Sequence, residues 1–550
     1  MKITFLGATK TVTGSNFLVE GAGKKFLIDL GLHQGRNKEV MLNTEDFLFN
    51  IEEIDFVLLT HAHIDHSGRI PKLYKQGYRN PIYATKATVD LCGILLPDSG
   101  HIQESEAEWL TRRRKREGKH SIEPLYTAQD GIDCLELFQG VRYDEIIDID
   151  ENIKARFNDA GHMLGSSIIE IWVTENGKTE KMVFSGDIGN NDIPLLNSPT
   201  MVADADYLIM ESTYGGRKHI ENENKAEKFL KIVSSTLQKG GNVIIPSFAV
   251  GRTQEILYEI NNIKEQQRDE EFYSEYQNLM KTDVYVDSPL AVSATEIFKR
   301  NIYLFNDETK KRIEEGDSPL EFPGLKLTQS VDESRALNEL TKPSIIISAS
   351  GMCEVGRIKH HLKHNLWNPN STILFVGYQA EGTLGRRLVN GEKKVKIFGE
   401  EIVVNAQIEY IEGYSGHADQ DALLNFVYSF REKPKHIFLV HGEPEGQLVL
   451  KEKIIETTGL NVAIPNYGEV YELDNTEIRG VQTLSPQEKY KYARLEILDR
   501  IETLKEEIED MGLIVKREML GEHVSDEEID NIKEKLKQIE QQIVKVVDPN

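Results

Sequence analysis

At 550 residues the chain exceeds the size at which one hydrophobic core stops growing, so two or three domains are expected. Cys92, Cys134 and Cys353 lie too far apart for a disulfide framework or a thiolate metal site, and no stretch approaches the roughly 18 apolar residues of a membrane span, so a soluble cytoplasmic protein with no membrane partner is expected. The net charge of -25 argues on average against a polyanionic partner, but basic clusters at 112–116, 357–364 and 386–387 leave room for local phosphate binding.

From the N-terminus, short strands are expected over 2–6, 15–20 and 25–28, the last ending in Asp29-Leu30-Gly31. An apolar run over 54–59 reads as a buried strand of an α/β sheet. Directly after it stand His61, His63, Asp65 and His66, an H-x-H-x-D-H pattern. Neutral imidazole and carboxylate suit zinc, and the end of a strand is a rigid place from which to aim them. A helix over 66–77, a strand over 81–84 and a long, charged, exposed helix over 98–120 follow. His162 then comes after a strand pattern and before Gly165-Ser166; a lone histidine there is more often a packed core residue. A strand over 181–184 ends in Ser185-Gly186-Asp187-Ile188-Gly189, where two glycines let the backbone turn tightly.

The H-x-H-x-D-H segment resembles the signature of the metallo-β-lactamase superfamily. That resemblance implies an αββα sandwich holding two zinc ions, and more ligands than the motif itself carries. His61, His63, His162 and Asp187 would hold one ion. Asp65, His66, Asp187 and His441 would hold the other, with Asp187 touching both. Asp29 would stand behind the ligands and orient them by hydrogen bonds. Two Zn²⁺ per chain are expected, with Mn²⁺ as the alternative that oxygen-rich dinuclear sites also accept.

A strand over 207–210 leads to Glu211-Ser212-Thr213-Tyr214-Gly215-Gly216, and here the resemblance narrows to the β-CASP branch, which processes nucleic acids. Residues 211–395 exceed what a plain metallo-β-lactamase core needs. They alternate between helices (222–238, 251–278, 289–304) and strands (242–246, 283–286, 344–348). The expected order is therefore a core over 1–208, an inserted α/β β-CASP domain over 209–395, and the second part of the core over 396–480. Within the insert, the strand 344–348 runs into Ala349-Ser350-Gly351-Met352. Such a small-residue turn exposes backbone N–H groups and makes a ready anion site. The family places this segment, the basic helix that follows and the segment around Arg386 along the nucleic-acid groove. Ser350, Gly351, Arg357, Arg386 and Ser415 are accordingly RNA-binding candidates. Glu211, His417 in Ser415-Gly416-His417-Ala418-Asp419, and His441 in His441-Gly442-Glu443 match the branch's motifs in order.

Over 415–443 the chain resembles the cleavage-and-polyadenylation RNA endonuclease and its bacterial relatives. That implies a zinc-dependent ribonuclease acting on single-stranded RNA through a metal-bridged hydroxide, leaving a 5′-phosphate and a 3′-hydroxyl. His417 would donate the proton to the leaving oxygen, Glu211 would hold His417, and Asp65 would orient the hydroxide. Endonucleolytic cleavage is the expectation. A 5′-to-3′ exoribonuclease of the ribonuclease J type, or a small-ester hydrolase on the same core, are the alternatives. Beyond 480 the pattern changes: Ser485-Pro486-Gln487-Glu488 is a helix start. Ile497, Ile501, Leu504, Ile508 and Met511, then Ile529, Ile532, Leu536, Ile539, Ile543 and Val546, repeat at heptad spacing. Residues 481–550 should form a helical hairpin or coiled-coil-like tail, either packed back on the body or joining two chains as a homodimer.

Overall fold

The computed structural model describes residues 1–35, 37–116, 118, 120–190, 193–219, 225–265, 270–377, 379, 382–411, 416–473, 480–482, 497 and 501. One compact unit comprises Met1–Gly35 and Asn43–Thr483. A second comprises Arg36–Leu42 and Leu484–Asn550, in which Asn37–Leu42 is a short helix. The expected tail hairpin and the dimer contact through it lie outside the described residues. Among the described residues, no helix is long and apolar enough to cross a membrane.

Two sheets form the core of the larger unit. The first has eight strands in the order Gly480–Gln482, Glu469–Glu472, Lys2–Phe5, Phe17–Gly21, Lys24–Ile28, Phe56–Leu58, Ile82–Thr85 and Phe138–Val141. The second has seven: Val462–Ala463, His436–Val440, Tyr207–Glu211, Lys178–Phe184, Ser167–Glu175, Ile153–Asp159 and Ile146–Asp150. Successive side chains on a strand point to opposite faces, and the sequence obeys this period. Ile3, Phe5, Val19, Phe26, Ile28 and Leu58 of the first sheet pack against Phe157, Ile171, Phe184, Ile209 and Phe438 of the second. The outward residues Val183, Leu208, Met210, Ile437 and Leu439 pack under the helices Gln420–Ser429 and Pro444–Thr458. On the other side Leu27, Val57, Leu59 and Ile82 are covered by Ile70, Leu73, Leu91 and Leu96 of helices. The layers are therefore α, β, β, α.

The third sheet is wholly parallel, in the order Leu325–Thr328, Val284–Asp287, Ile345–Ser348, Val243–Pro246, Thr372–Phe375 and Gln407–Tyr410. Its four inner strands are buried, mostly apolar runs because helices cover both faces. Gln407–Tyr410 pairs with Thr372–Phe375, so the inserted sheet extends past 396, where the sequence reading returned the chain to the core. Other boundaries move for local reasons. The helix expected over 66–77 is two pieces, Ile64–Ser67 and Ile70–Lys75, the second carrying Pro71 in its first turn. The helix expected over 98–120 starts at Lys86 and runs to Arg116. The helix expected over 251–278 is Arg252–Glu265 followed by Glu270–Lys281.

Candidate metal centre

The candidate residues meet at the ends of strands from both core sheets. Phe56–Leu58 delivers His61, His63, Asp65 and His66; Ile153–Asp159 leads to His162; Lys178–Phe184 leads to Asp187; Tyr207–Glu211 ends on Glu211; and His436–Val440 leads to His441. Residues 376 positions apart, such as Asp65 and His441, thus share one spot. Asp29 and His441 both take left-handed backbone, at φ 57° and 48°, which few non-glycine residues do and which marks over-determined sites.

Two groups of ligand atoms form. In the first, His61 Nε2 lies 3.1 Å from His63 Nδ1, His162 Nε2 lies 3.2 Å from His63 Nδ1, and Asp187 Oδ2 lies 3.5 Å from His61 Nε2 and 3.6 Å from His162 Nε2. In the second, His66 Nε2 lies 3.3 Å from His441 Nε2 and 3.3 Å from Asp187 Oδ1, and Asp65 Oδ2 lies 3.4 Å from His441 Nε2. Atoms held about 2.0–2.1 Å from one tetrahedral zinc are roughly 3.3 Å apart. The spacing in both groups is that of atoms sharing an ion.

The far side of each ring fixes which nitrogen faces inward. His66 Nδ1 donates to Asp29 Oδ2 (2.7 Å) and His162 Nδ1 donates to the Gly416 carbonyl (2.9 Å). Thr60 gives its hydroxyl proton to Asp29 Oδ2 (2.8 Å), so its oxygen accepts from His61 Nδ1 (3.0 Å). Thr213 gives its hydroxyl proton to the His441 carbonyl (3.1 Å), so its oxygen accepts from His441 Nδ1 (3.1 Å). Four imidazoles thereby turn Nε2 toward the centre, the arrangement that orients metal-binding histidines.

Charge matches this geometry at His61, His63 and His162. Burial, with His66 nearby, pushes His61 down to about 3. Burial likewise lowers His63, and it lowers His162 well below the ordinary range with His417 adding to it. These rings are neutral, as ligands must be. His66 is the opposite case: burial opposes its charge, but Asp187 and Asp29 outweigh burial and hold its proton well above the usual range. Burial also opposes charge on Asp187, yet His441, His66 and His417 keep its carboxyl well below the usual range. Among the described residues, the buried Asp187 Oδ1 accepts no hydrogen bond. A buried carboxylate oxygen without a donor is costly unless a cation faces it, so the donor set fits divalent metal.

Beside this cluster, Glu211 Oε1 lies 3.2 Å from His417 Nδ1 and accepts the Ile188 N–H at 2.7 Å. The His417 ring stands 4.5 Å from that of His162, and its side chain keeps 23% exposure whereas Glu211 has none. Burial disfavours charge on His417, and Glu211 and Asp187 overcome it and raise the ring to about 9.

Thr60, Thr213, the Gly416 carbonyl and His219, whose Nε2 lies 3.0 Å from the His417 carbonyl, were not singled out from the sequence. Only the adjacency of Thr60 to the H-x-H-x-D-H motif hinted at a role. Gly31 was quoted only as part of its strand end, yet a Cβ there would lie 1.6 Å from the Asp65 carbonyl oxygen. Gly31→Ala should push the Asp65 loop away at a cost of about 1–3 kcal/mol. Denaturant melts with and without zinc check this: the expected result is lower stability and a smaller gain on adding zinc.

The RNA-binding candidates fare unequally. Ser350 and Gly351 form a turn at the end of Ile345–Ser348, with Ser350 Oγ accepting the Glu354 N–H (3.2 Å). Arg386 stands on the neighbouring helix Leu384–Val389, and among the described residues its buried Nε has no partner. Arg357 turns inward, donating to Asp287 Oδ1 (2.7 Å) and the Gln329 carbonyl (2.6 Å), and so braces two loops of the insert. Ser415 lies outside the described residues.

Known families match along the chain. A model of the metallo-beta-lactamase superfamily matches residues 10–90, the Beta-Casp domain matches 253–388, and the Zn-dependent metallo-hydrolase RNA specificity domain matches 401–465. Ribonuclease TTHA0252 of Thermus thermophilus is 36% identical over 85% of this chain and 99% of its own length. Transcription termination factor FttA of Methanocaldococcus jannaschii is 33% identical over 80% of this chain and 67% of its own. A solved protein of unknown function from Enterococcus faecalis aligns with 85% of this chain and 99% of its own at TM-score 0.47 and 14% identity, too loose a likeness to argue from. With all three family models present in order and a relative matched over nearly its whole length, the chain belongs to the β-CASP ribonucleases of the metallo-β-lactamase superfamily, metal-dependent RNA hydrolases.

Proposed function

We propose that this chain is an endoribonuclease that cuts single-stranded RNA at a centre of two zinc ions, leaving a 5′-phosphate and a 3′-hydroxyl. The observation that carries the reading is the pair of ligand groups, His61–His63–His162–Asp187 and Asp65–His66–His441, with Asp187 Oδ1 3.3 Å from His66 Nε2 between them and the His417–Glu211 pair alongside. His61, His63, His162 and Asp187 would hold one ion and Asp65, His66, Asp187 and His441 the other. Bound there, the ions lower the pKa of water and neutralise charge on the phosphoryl oxygens.

The chain's own groups supply the rest. His417 keeps Nδ1 on Glu211, so the proton it can release is the one on Nε2. That proton goes to the 3′ oxygen as the P–O3′ bond breaks, while the water oxygen stays on the 5′-phosphate. Asp65, whose carboxylate is stabilised against burial by His441 and His66, would orient the attacking water. Asp29 and Thr60 hold His66 and His61 in place during the reaction. The Ser350–Gly351 turn and Arg386 would seat the RNA backbone.

The test is cleavage of one end-labelled RNA prepared with a 5′-hydroxyl, with a 5′-monophosphate and as a circle. The circle should be cut, the 5′ group should not matter, and a chelator should stop the reaction until zinc or manganese is restored. Mononucleotides released only from 5′-monophosphate RNA would replace this reading with an exonuclease. Metal-dependent turnover of a small ester with no RNA cut would remove RNA as the substrate.

A further inference from the structure

All six strands of the inserted sheet are parallel, so their carboxyl ends share one edge. Ligands of parallel α/β sheets bind beyond that edge. The edge strand Gln407–Tyr410 precedes His417 by seven residues in the chain. Two strands inward, Val243–Pro246 ends in the loop 247–251. With about 4.8 Å between strands, that loop stands roughly 10 Å along the edge from the strand leading to His417.

Phe248 in this loop is 47% exposed, while Ser247, Ala249 and Val250 beside it are buried. The loop is held from the following helix. The Thr253 hydroxyl donates to the Phe248 carbonyl (2.7 Å), Gln254 Nε2 donates to the Ala249 carbonyl (3.2 Å), and Gln254 Oε1 accepts the Gly251 N–H (2.7 Å). An apolar ring is thus presented to water on a fixed backbone, and little conformational freedom is left to lose on binding. The next strand end supplies its neighbour: a Cβ on Gly351 would lie 3.1 Å from two carbons of the Phe248 ring. Any side chain at 351 would press on that ring. The turn is in turn tied to the Arg386 helix, where the Gly385 N–H donates to the Met352 carbonyl (3.2 Å).

We propose that Phe248 is a stacking platform for one nucleobase of single-stranded RNA, set beside the Ser350–Gly351 turn and Arg386, which take a neighbouring phosphate. The inference rests on the RNA cleavage proposed above and names how the substrate is held. Every base has a π-face, so the contact tolerates any sequence. A base inside a duplex has both faces covered by its neighbours, so the platform selects single strands.

Full-length protein carrying His417→Ala, which binds without cutting, is titrated with RNA oligonucleotides holding 2-aminopurine at successive positions. KM and kcat are measured in the His417 background. One position, or two adjacent ones, should be quenched by the parent and not by its Phe248→Ala derivative. Phe248→Ala should raise KM by about 5- to 100-fold on single strands. Phe248→Tyr and Phe248→Trp should restore both signals, whereas Phe248→Leu, which fills the space without a π-face, should not. An abasic RNA lacking that base should give the same KM with and without the ring. Rescue by leucine, or an alanine penalty undiminished on abasic RNA, overturns stacking. A parent that binds RNA with no quenched position, while the His417 protein cuts that RNA, overturns the platform alone; a parent that binds no RNA, with no cutting by the His417 protein, overturns the functional reading with it.

Discussion

Asp187→Ala should leave a folded protein that no longer holds the two zinc ions proposed above and no longer cuts RNA. Asp187 turns Oδ2 toward His61 and Oδ1 toward His66, and it is 2% exposed among five histidines. Metal-ion charge stabilisation is worth several kcal/mol at a transition state, so a loss of about 10³- to 10⁴-fold in rate is expected. Metal analysis of the purified protein and cleavage assays at saturating zinc check both halves. Thermal melting adds an independent reading. Zinc at 100 times its dissociation constant stabilises the wild type by about 2.7 kcal/mol, and the alanine protein should gain little. Asp29, Thr60, Thr213 and the Gly416 carbonyl still hold the far sides of the rings, so circular dichroism should be unchanged. Asp187→Asn should behave like the alanine form because it keeps the shape and loses the charge. Full metal content and full rate in either variant would sink the bridged two-ion centre.

Replacing His417 should separate proton transfer from metal binding. His417 stands beside the ligands on Glu211, so His417→Ala should retain its zinc while the rate falls about 10²- to 10⁴-fold, the usual worth of a positioned acid. Glu211→Gln tests the cause of the elevated proton affinity. In metal-free wild type, NMR titration should find His417 losing its proton near pH 9, above the ordinary histidine value of 6.5. The sign follows from that direction: the stabilising charge is fully present below the unfolded value and is lost as pH rises through about 9. With glutamine at 211 the midpoint should move down toward the ordinary value, and the pH at which the enzyme loses rate on the alkaline side should move the same way. A His417 midpoint unaffected by Glu211→Gln would show that the pair is not coupled.

Much of the centre is legible in the chain because metal ligation needs particular residue types at strand ends. The H-x-H-x-D-H segment follows an apolar run that is a strand, and Asp187, Glu211 and His441 each follow or close a strand that the apolar pattern also marks. The partners of those ligands are harder to read. Thr60 and Thr213 are ordinary residues whose hydroxyls become specific only when Asp29 and the His441 carbonyl arrive to take their protons. Arg357 shows the reverse error, since its basic neighbourhood suggested phosphate and the fold turned it onto Asp287.

The sequence by itself determined the layers of the core, through apolar residues at period two on the sandwich strands and apolar runs on the inner strands of the inserted sheet, and it marked the residues that meet at the candidate centre. Tertiary structure alone decided which strand belongs to which sheet. Gln407–Tyr410 joins the insert because its ladder partner, Thr372–Phe375, is remote in sequence and no local pattern encodes pairing. It alone decided which nitrogen of each histidine faces inward, because that choice is made by a hydrogen-bond partner elsewhere in the chain. And it alone set Phe248 in water beside Gly351, two residues whose proximity comes from neighbouring parallel strands ending at one edge.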